Sequence, residues 1–550
     1  MLNRNAIVRA ISPLWSRTLS LRALLLVGVI CCLRANAALA APAIHYTDLD
    51  SAPVNAWVTI YGSGFGTSQG SGAVYLGGSA ALSVVTWSDN KIEAKLPAST
   101  GSGLTVVTSS GTSNSMTFTA RTTGRILFAD PVNGNNSWDG TAATFQGGSK
   151  GPWKDQGSNQ NNSNPNAVSA GFYALNPGDV LYLRGGSYAF ATNTYGGKTW
   201  LFLNGERGGV SNPDVGSAGL PIAMVSYPGE LAEGGSDSFG VGIMPYGNIH
   251  DITIAKIRLR SGSAAMSMNE TQNARLRFVD IETAGPMNDQ YNAFGFVGTD
   301  GLKVLGNKIH DVGKAGEKLS HAIYYEGYGT STDVEIAYNT IINERGGRGI
   351  QVYAHTATDR LDVLSIHDNY IDTTTLTGIL VGQGDGGAVS NWVRKANIFN
   401  NVVRRSGNPN GYSSNGYLPE QAGIHLTLSG CDFVVTHNTL VGDNVYRTLW
   451  LEASKTAVIR DNLFDTKAVV VGSGAAGVTW DHNGFAGGLS APSGAAASVV
   501  AASAGYVGGE NFSLAASSPF KGKASDGSDI GVVSSVLAVK RPAALQITVH

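Results

Sequence analysis

Tyr353, His425, Arg348 and Glu326 are the side chains of this sequence best suited to moving a proton beside a carboxylate. Such chemistry needs a base within reach of the proton and a cation against the developing negative charge. Tyr353 and His425 are of the first kind, with His355 and His321 as further bases. Arg348 is of the second, with Arg345, Lys318 and Arg447 behind it. Each cation has an ordinary alternative as a solvated surface charge, and His425 has one as a hydrogen-bonded structural histidine. Hydrolysis of a glycosidic bond would instead take two carboxylates about 5 to 9.5 Å apart. Glu326 could be one, and Asp385 in the run Gly384-Asp385-Gly386-Gly387 is its nearer partner. A Ca²⁺ ion could stand in for the cation; Asp333, Asp359, Asp362 and Asp385 lie in or near loops, without the spacing of an EF-hand. No Gly-x-Ser-x-Gly elbow supports serine catalysis.

These residues fall on strands that keep returning. Ala322-Ile323-Tyr324-Tyr325-Glu326, Gly349-Ile350-Gln351-Val352-Tyr353, Gly378-Ile379-Leu380-Val381, Gly423-Ile424-His425-Leu426-Thr427 and Thr448-Leu449-Trp450-Leu451-Glu452 share one pattern. Side chains alternate along a strand, so Ile323, Ile350, Ile379, Ile424 and Leu449 point inward with Tyr325, Val352, Val381, Leu426 and Leu451. The outward columns are then Tyr324, Gln351, Leu380, His425 and Trp450, beside Glu326, Tyr353, Gly382, Thr427 and Glu452. Glu326 and Glu452 are four coils apart in this register, roughly 19 Å at ~4.8 Å per coil, too far to be a hydrolytic pair. Tyr324, Gln351, Trp450, Glu452 and Arg447 are the candidate binding residues; the rings of Tyr324, Tyr353 and Trp450 could stack on sugars.

The turns repeat as well, at Asn307, Asn339, Asn369, Asn401, Asn438 and Asn462, roughly 24 to 37 residues apart. Lys256 and Asp280 are expected in the same slot of earlier coils. Stacked Asn side chains can hydrogen-bond from coil to coil. Two further stretches frame the repeat: the entry Leu127-Phe128-Ala129-Asp130-Pro131-Val132-Asn133-Gly134, and Pro177-Gly178-Asp179-Val180-Leu181-Tyr182-Leu183-Arg184-Gly185-Gly186. With the exit from Asn511-Phe512-Ser513-Leu514 to Asp529-Ile530-Gly531, the chain from Arg125 to Val533 resembles the right-handed parallel β-helix proteins. That group is dominated by extracellular polysaccharide lyases and hydrolases. The resemblance implies a polysaccharide partner and cleavage of an acidic polymer by β-elimination, with a glycoside hydrolase or a non-catalytic glycan-binding surface protein as alternatives. No run matches a pectate-lyase Arg motif, and a fold alone does not set a substrate.

Before the repeat, short strands separated by Gly, Ser, Asp and Asn turns predict a β-sandwich: Val58–Tyr61, Val74–Leu76, Ser83–Trp87, Lys91–Leu96, Leu104–Thr108 and Met116–Thr119. Ile60-Tyr61-Gly62-Ser63-Gly64-Phe65-Gly66 with Trp87-Ser88-Asp89-Asn90-Lys91-Ile92 and Leu96-Pro97 resembles an IPT/TIG immunoglobulin-like domain, which implies a spacer or carbohydrate-binding role. The expected fold is therefore all-β, an immunoglobulin-like sandwich at 41–121 followed by a parallel β-helix at 122–540. Residues 1–40 read as a signal peptide, with Arg4, Arg9, Arg17 and Arg22, an apolar run from Ala23 to Cys32, and Ala-x-Ala sites ending at Ala37 and Ala40. A secreted, periplasmic or cell-surface protein follows, without a membrane span after cleavage and expected as a monomer. The mature chain keeps one cysteine, Cys431, so it has no intrachain disulfide. The full sequence's 72 Gly, 14% charged residues and formal net charge of −2 argue against nucleic acid as a partner.

Overall fold

In a computed structural model the described residues are 41–157, 170–189, 191–192, 198–205, 215–234, 240–260, 264–267, 272–285, 292–384, 389–407, 421–442, 446–508 and 511–533. The signal-peptide stretch, Asp385 and the tail beyond 533 lie outside them. The strands predicted for the first part are present, and Ala43–Thr47 and Ser51–Pro53 join them. They build a four-stranded and a six-stranded sheet around Val58, Ile60, Val74, Ile92, Leu104, Val106 and Phe118, all essentially without solvent contact.

From Ile126–Ala129 onward the chain winds through three parallel sheets, of thirteen, twelve and eleven strands among the described residues. One coil shows the order. Thr330–Ala337 belongs to the first sheet, Thr340–Glu344 to the second and Ile350–Ala354 to the third, before Arg360–His367 re-enters the first. We call the third the site sheet. Its inward columns are as the alternation predicts: Ile323 pairs in register with Ile350, Ile379, Ile424 and Leu449, and Tyr325 with Val352, Val381, Leu426 and Leu451. These stacked residues belong to one core that runs the length of the solenoid.

The Asn ladder stands at the turn from the first sheet to the second. Each Oδ1 from Asn339 to Asn462 accepts both the backbone N–H and the Nδ2 of the preceding Asn, at 2.9 to 3.1 Å. Asn483 adds a rung absent from the sequence expectation, accepting Asn462 Nδ2 at 3.1 Å. Lys256 and Asp280 do not occupy this slot. They sit one residue earlier, at a left-handed position (φ 58° and 50°) shared with Tyr338, Asp368, Asn400, His437, Asp461 and His482. Ile281 takes the rung position and donates its N–H to Asn307 Oδ1 at 3.0 Å. Asn and Asp tolerate the left-handed region better than other side chains, so the sequence offers two adjacent slots that look alike.

The sandwich lies against the outer face of the first sheet. Val180, Val225, Ala255, Val279, Leu305 and Ala337 join its core from the solenoid side. Lys256 forms a buried ion pair with Glu93, Tyr61 donates to Asp280 at 2.6 Å, and Tyr182 donates to the Trp57 carbonyl at 2.6 Å. At the other end Phe520, Ile530 and Leu514 pack on Leu463 and Ala486, which covers apolar surface an open solenoid end would expose. Cys431 is a buried free thiol, its pKa pushed up by burial and by the neighbouring Asp432. No helix among the described residues is long and apolar enough to cross a membrane.

Candidate active site

The outward face of the site sheet brings most of the candidate residues together. Tyr324 pairs with Gln351, Gln351 with Leu380, Leu380 with His425, and His425 with Trp450; Glu326 pairs with Tyr353 in the neighbouring column. Glu326 Oε1 meets His355 Nδ1 at 2.8 Å, so the carboxylate fixes the proton on Nδ1 and turns Nε2 into the proton-accepting atom. Tyr353 lies between this pair and Gln351 along the same strand. Its ring covers Gly382 in the next coil, where a Cβ would come within 2.5 Å of the phenol ring. Glycine there is what gives the ring its room.

Arg348 enters the face from the strand's other end. Its Nη1 donates to Gln351 Oε1 at 2.6 Å, the one hydrogen bond its side chain makes among the described residues. No carboxylate pairs with it there. Several arginines on other faces differ: Arg184 pairs with Glu230, Arg258 with Glu233 and Glu282, Arg275 with Asp251, and Arg405 with Asp372. The turn before Arg348 is set by Glu344, whose Oε1 accepts the N–H groups of Gly346 and Gly347 at 2.9 and 2.8 Å. Glu344 is fully buried, and burial raises its pKa to about 8. Sequence reasoning passed over Glu344 because nothing in its local run reports the burial.

Several expected roles are corrected. His321 is buried, and its Nδ1 accepts the Arg348 backbone N–H at 3.0 Å. Burial and then the Arg348 charge hold its pKa well below the usual imidazole value, so it is a neutral donor through Nε2 and not the base. His425 is also buried. It lies flat on Trp450, with ring centroids 4.0 Å apart and planes at 4°, while its Nε2 meets Glu452 Oε2 at 2.8 Å. This imidazole is held by its stacking on Trp450 and by Glu452. Trp450 in turn carries Arg447, whose guanidinium carbon is 4.3 Å from the ring centroid, so its faces serve protein neighbours before any sugar. Glu452 does not stand beside Thr427. A bulge between Leu426 and Thr427 pairs Thr427 with Ala453 and leaves Glu452 as the extra residue, turned onto His425.

Arg345 donates to the carbonyls of Asp311 and Val312 and is a loop clamp. Lys318 is exposed. Among the suggested metal ligands, Asp333 pairs with Lys303 and Asp362 with Arg394. Asp359 accepts from His355 N, Thr356 N, Thr356 Oγ1 and Gly329 N at 2.6 to 3.0 Å, which uses its oxygens to close the loop after Ala354. Among the described residues no cluster of three or more His, Cys, Asp or Glu side chains could hold a metal.

The family model described as IPT/TIG domain matches residues 50–120. That segment is an IPT/TIG domain. No curated protein matches the sequence. Of the solved structures, the chain resembles pectate lyase Pel9A at 13% identity, over 75% of this chain and 96% of that one, with a TM-score of 0.36. It resembles the PL6 family alginate lyase AlyGC at 12%, over 66% and 55%, with a TM-score of 0.27. A gamma-CGTase from Alkalophilic Bacillus clarkii is 31% identical over 18% of this chain and 15% of that one, with a TM-score of 0.14.

Proposed function

We propose that this is a secreted polysaccharide-active enzyme that cleaves an acidic polymer by β-elimination on the site sheet. The observation that carries the reading is Arg348. A guanidinium whose one side-chain hydrogen bond among the described residues is to the Gln351 amide, on a face where Tyr353 and the Glu326–His355 pair follow along the same and the adjoining strand, suits a substrate that brings its own carboxylate. In the step proposed, Arg348 and Gln351 hold the uronate carboxylate and the charge that builds on it. The proton-transfer end, Tyr353 with His355 and Glu326, takes the proton from C5. The electron pair left behind forms the C4–C5 double bond, and the glycosidic oxygen departs from C4 and is protonated. The described carboxylates of this face, Glu326 and Glu452, are each tied to a histidine and lie four coils apart, which does not favour a two-carboxylate hydrolysis.

The test is incubation of the purified mature protein with acidic and neutral polysaccharides, following the ultraviolet absorbance of unsaturated uronate ends together with reducing ends, with and without EDTA. Both signals rising together on an acidic polymer is the expected result. Reducing ends alone would make the protein a hydrolase, and silence in both with retention on a polysaccharide column would make it a binding protein.

A further inference from the structure

A second polar site lies on the same solenoid, at the corner where the chain leaves the site sheet for the first sheet in the earlier coils. A cavity of about 330 Å³ opens there, lined by Asn248, His250, Gln272, Asn273, Arg275 and Asp300 among others. Register stacks its parts: His250 pairs with Ala274, and Ala274 with Asp300. Asp251 and Arg275 are both left-handed, at φ 54° and 51°.

Among the described residues, the hydrogen bonds within the cavity leave a defined set of groups to spare. Arg275 holds both oxygens of buried Asp251 through Nε and Nη2, at 2.6 and 2.7 Å. His250 Nδ1 meets Asp251 Oδ2 at 2.9 Å, which leaves Nε2 of the neutral ring as an acceptor. Asp300 Oδ1 takes Thr332 N and Oγ1, both at 2.6 Å, and Oδ2 remains. Gln272 Nε2 donates to the Tyr328 carbonyl at 3.3 Å, and its Oε1 remains. Asn273 is spent at both ends, on Ile249 N and the Val297 carbonyl, and so fixes the shape of the wall. Among the described residues the lining therefore offers acceptors on His250, Asp300, Gln272 and Asn248, beside the three remaining N–H groups of Arg275 and the amide N–H groups of Gln272 and Asn248. Two aspartates offset the one arginine, so the site does not favour an anion. A neutral molecule rich in hydroxyls, each able to donate and to accept, satisfies it.

We propose that this cavity binds a neutral glycosyl unit. It extends from one to three coils before the coil of Glu326, roughly 5 to 14 Å along the axis at ~4.8 Å per coil, on the side of the groove where Tyr328 neighbours His355. A branch or chain segment of unoxidised sugar next to the acidic stretch would occupy it. The inference rests on the polysaccharide reading of the groove but not on its elimination chemistry.

Methyl glycosides of neutral hexoses and of the corresponding uronic acids are the probes, titrated into the full mature chain by calorimetry and saturation-transfer NMR. At least one neutral glycoside is expected to bind more tightly than its uronide. Gln272→Ala with Asp300→Asn, which turns an acceptor into a donor and keeps the Thr332 contacts, is expected to weaken that binding at least ~10-fold for two lost hydrogen bonds. Binding untouched by the double variant, a uronide preferred over its neutral counterpart, or no neutral glycoside bound would each overturn the assignment. Polymer cleavage is read separately. Loss of the cleavage reading with glycoside binding intact overturns β-elimination alone, and cleavage without glycoside binding overturns this site alone.

Discussion

Replacing Glu344 by Gln should make the protein more stable, and increasingly so as pH rises from about 4.5 to about 8. The carboxyl group is buried, and burial raises its pKa from 4.5 to about 8 against the pull of the Gly346 and Gly347 N–H groups. In the unfolded chain the same group ionises near its ordinary value. Between those two values the folded state holds a proton the unfolded state has released, so folding stability falls as pH rises. The loss is complete once pH passes the folded pKa. At ~1.4 kcal/mol per unit, the cost relative to a carboxyl that stays neutral is about 3 kcal/mol at pH 7, and approaches about 5 kcal/mol above pH 8. Glutamine keeps an Oε1 for Gly346 and Gly347 and has no charge to lose. Chemical denaturation of both proteins from pH 4 to pH 9 measures the difference, with Glu344→Ala as the control that loses the turn contacts at every pH. Equal pH slopes for the native chain and Glu344→Gln would refute the reasoning, since the buried carboxyl would then not be the group that titrates.

Arg348→Ala should lower cleavage of an acidic polymer on the order of 100-fold, with Arg348→Lys retaining part of the activity and both leaving the melting temperature nearly unchanged. At the sandwich–solenoid contact, Glu93→Leu strands Lys256 and should cost about 3 to 5 kcal/mol, whereas Lys256→Met leaves Glu93 its Thr86 and Gly229 partners and should cost less. Denaturation of the single and double variants checks this, and the double variant should fall close to the native value. Asn369→Ala removes four side-chain hydrogen bonds and should destabilise by about 4 kcal/mol, read as a lowered urea midpoint. The His310–Glu282 and His367–Glu335 pairs should add most stability between about pH 4.5 and 6.5 in a pH–melting series. Contact with His310 lowers Glu282 to about 2, and His367 with Lys303 lowers Glu335 to about 2 against burial; their share is lost as pH falls through those values. The imidazolium share is full below 6.5 and is lost as pH rises through the raised histidine values.

The inward columns of the site sheet were legible because strand alternation and apolar type give the same answer at every coil, from Ile323 to Leu449. The Asn turns were legible in spacing but not in phase. Asp368-Asn369 and Asn400-Asn401 put suitable residues in both the left-handed slot and the rung slot, and only the hydrogen bonds tell them apart. Glu452 shows a different limit, since a one-residue bulge is invisible to a rule of strict alternation. His321 and His425 were named for their chemistry, but burial decides what an imidazole does, and their burial depends on Arg348 and Trp450 brought from other coils. The Asp251–Arg275–His250 group was missed for the same reason, because residues 24 positions apart become neighbours through coil stacking alone.

The placement of the IPT/TIG domain bears on where the proposed cleavage would occur. It covers the first sheet, and its contacts there are ionic and aromatic as well as apolar: Lys256 with Glu93, Tyr61 with Asp280, and Tyr46 on Tyr338 with centroids 5.0 Å apart. The second sheet is crossed by the returning C-terminal segment, in which Val532 N donates to Thr439 Oγ1 and Val533 N to Asn400 Oδ1. Two of the three faces are thus engaged by the chain itself, and the ion pairs of Arg258, Arg275 and Arg405 neutralise their cations locally. The site sheet carries Arg348 with an amide for company and no carboxylate among the described residues. A half-buried cation kept from internal neutralisation costs solvation energy that the fold recovers only when an anion arrives. The proposed substrate, an extended polymer bearing carboxylates, would bring that anion to a groove built from repeating coils.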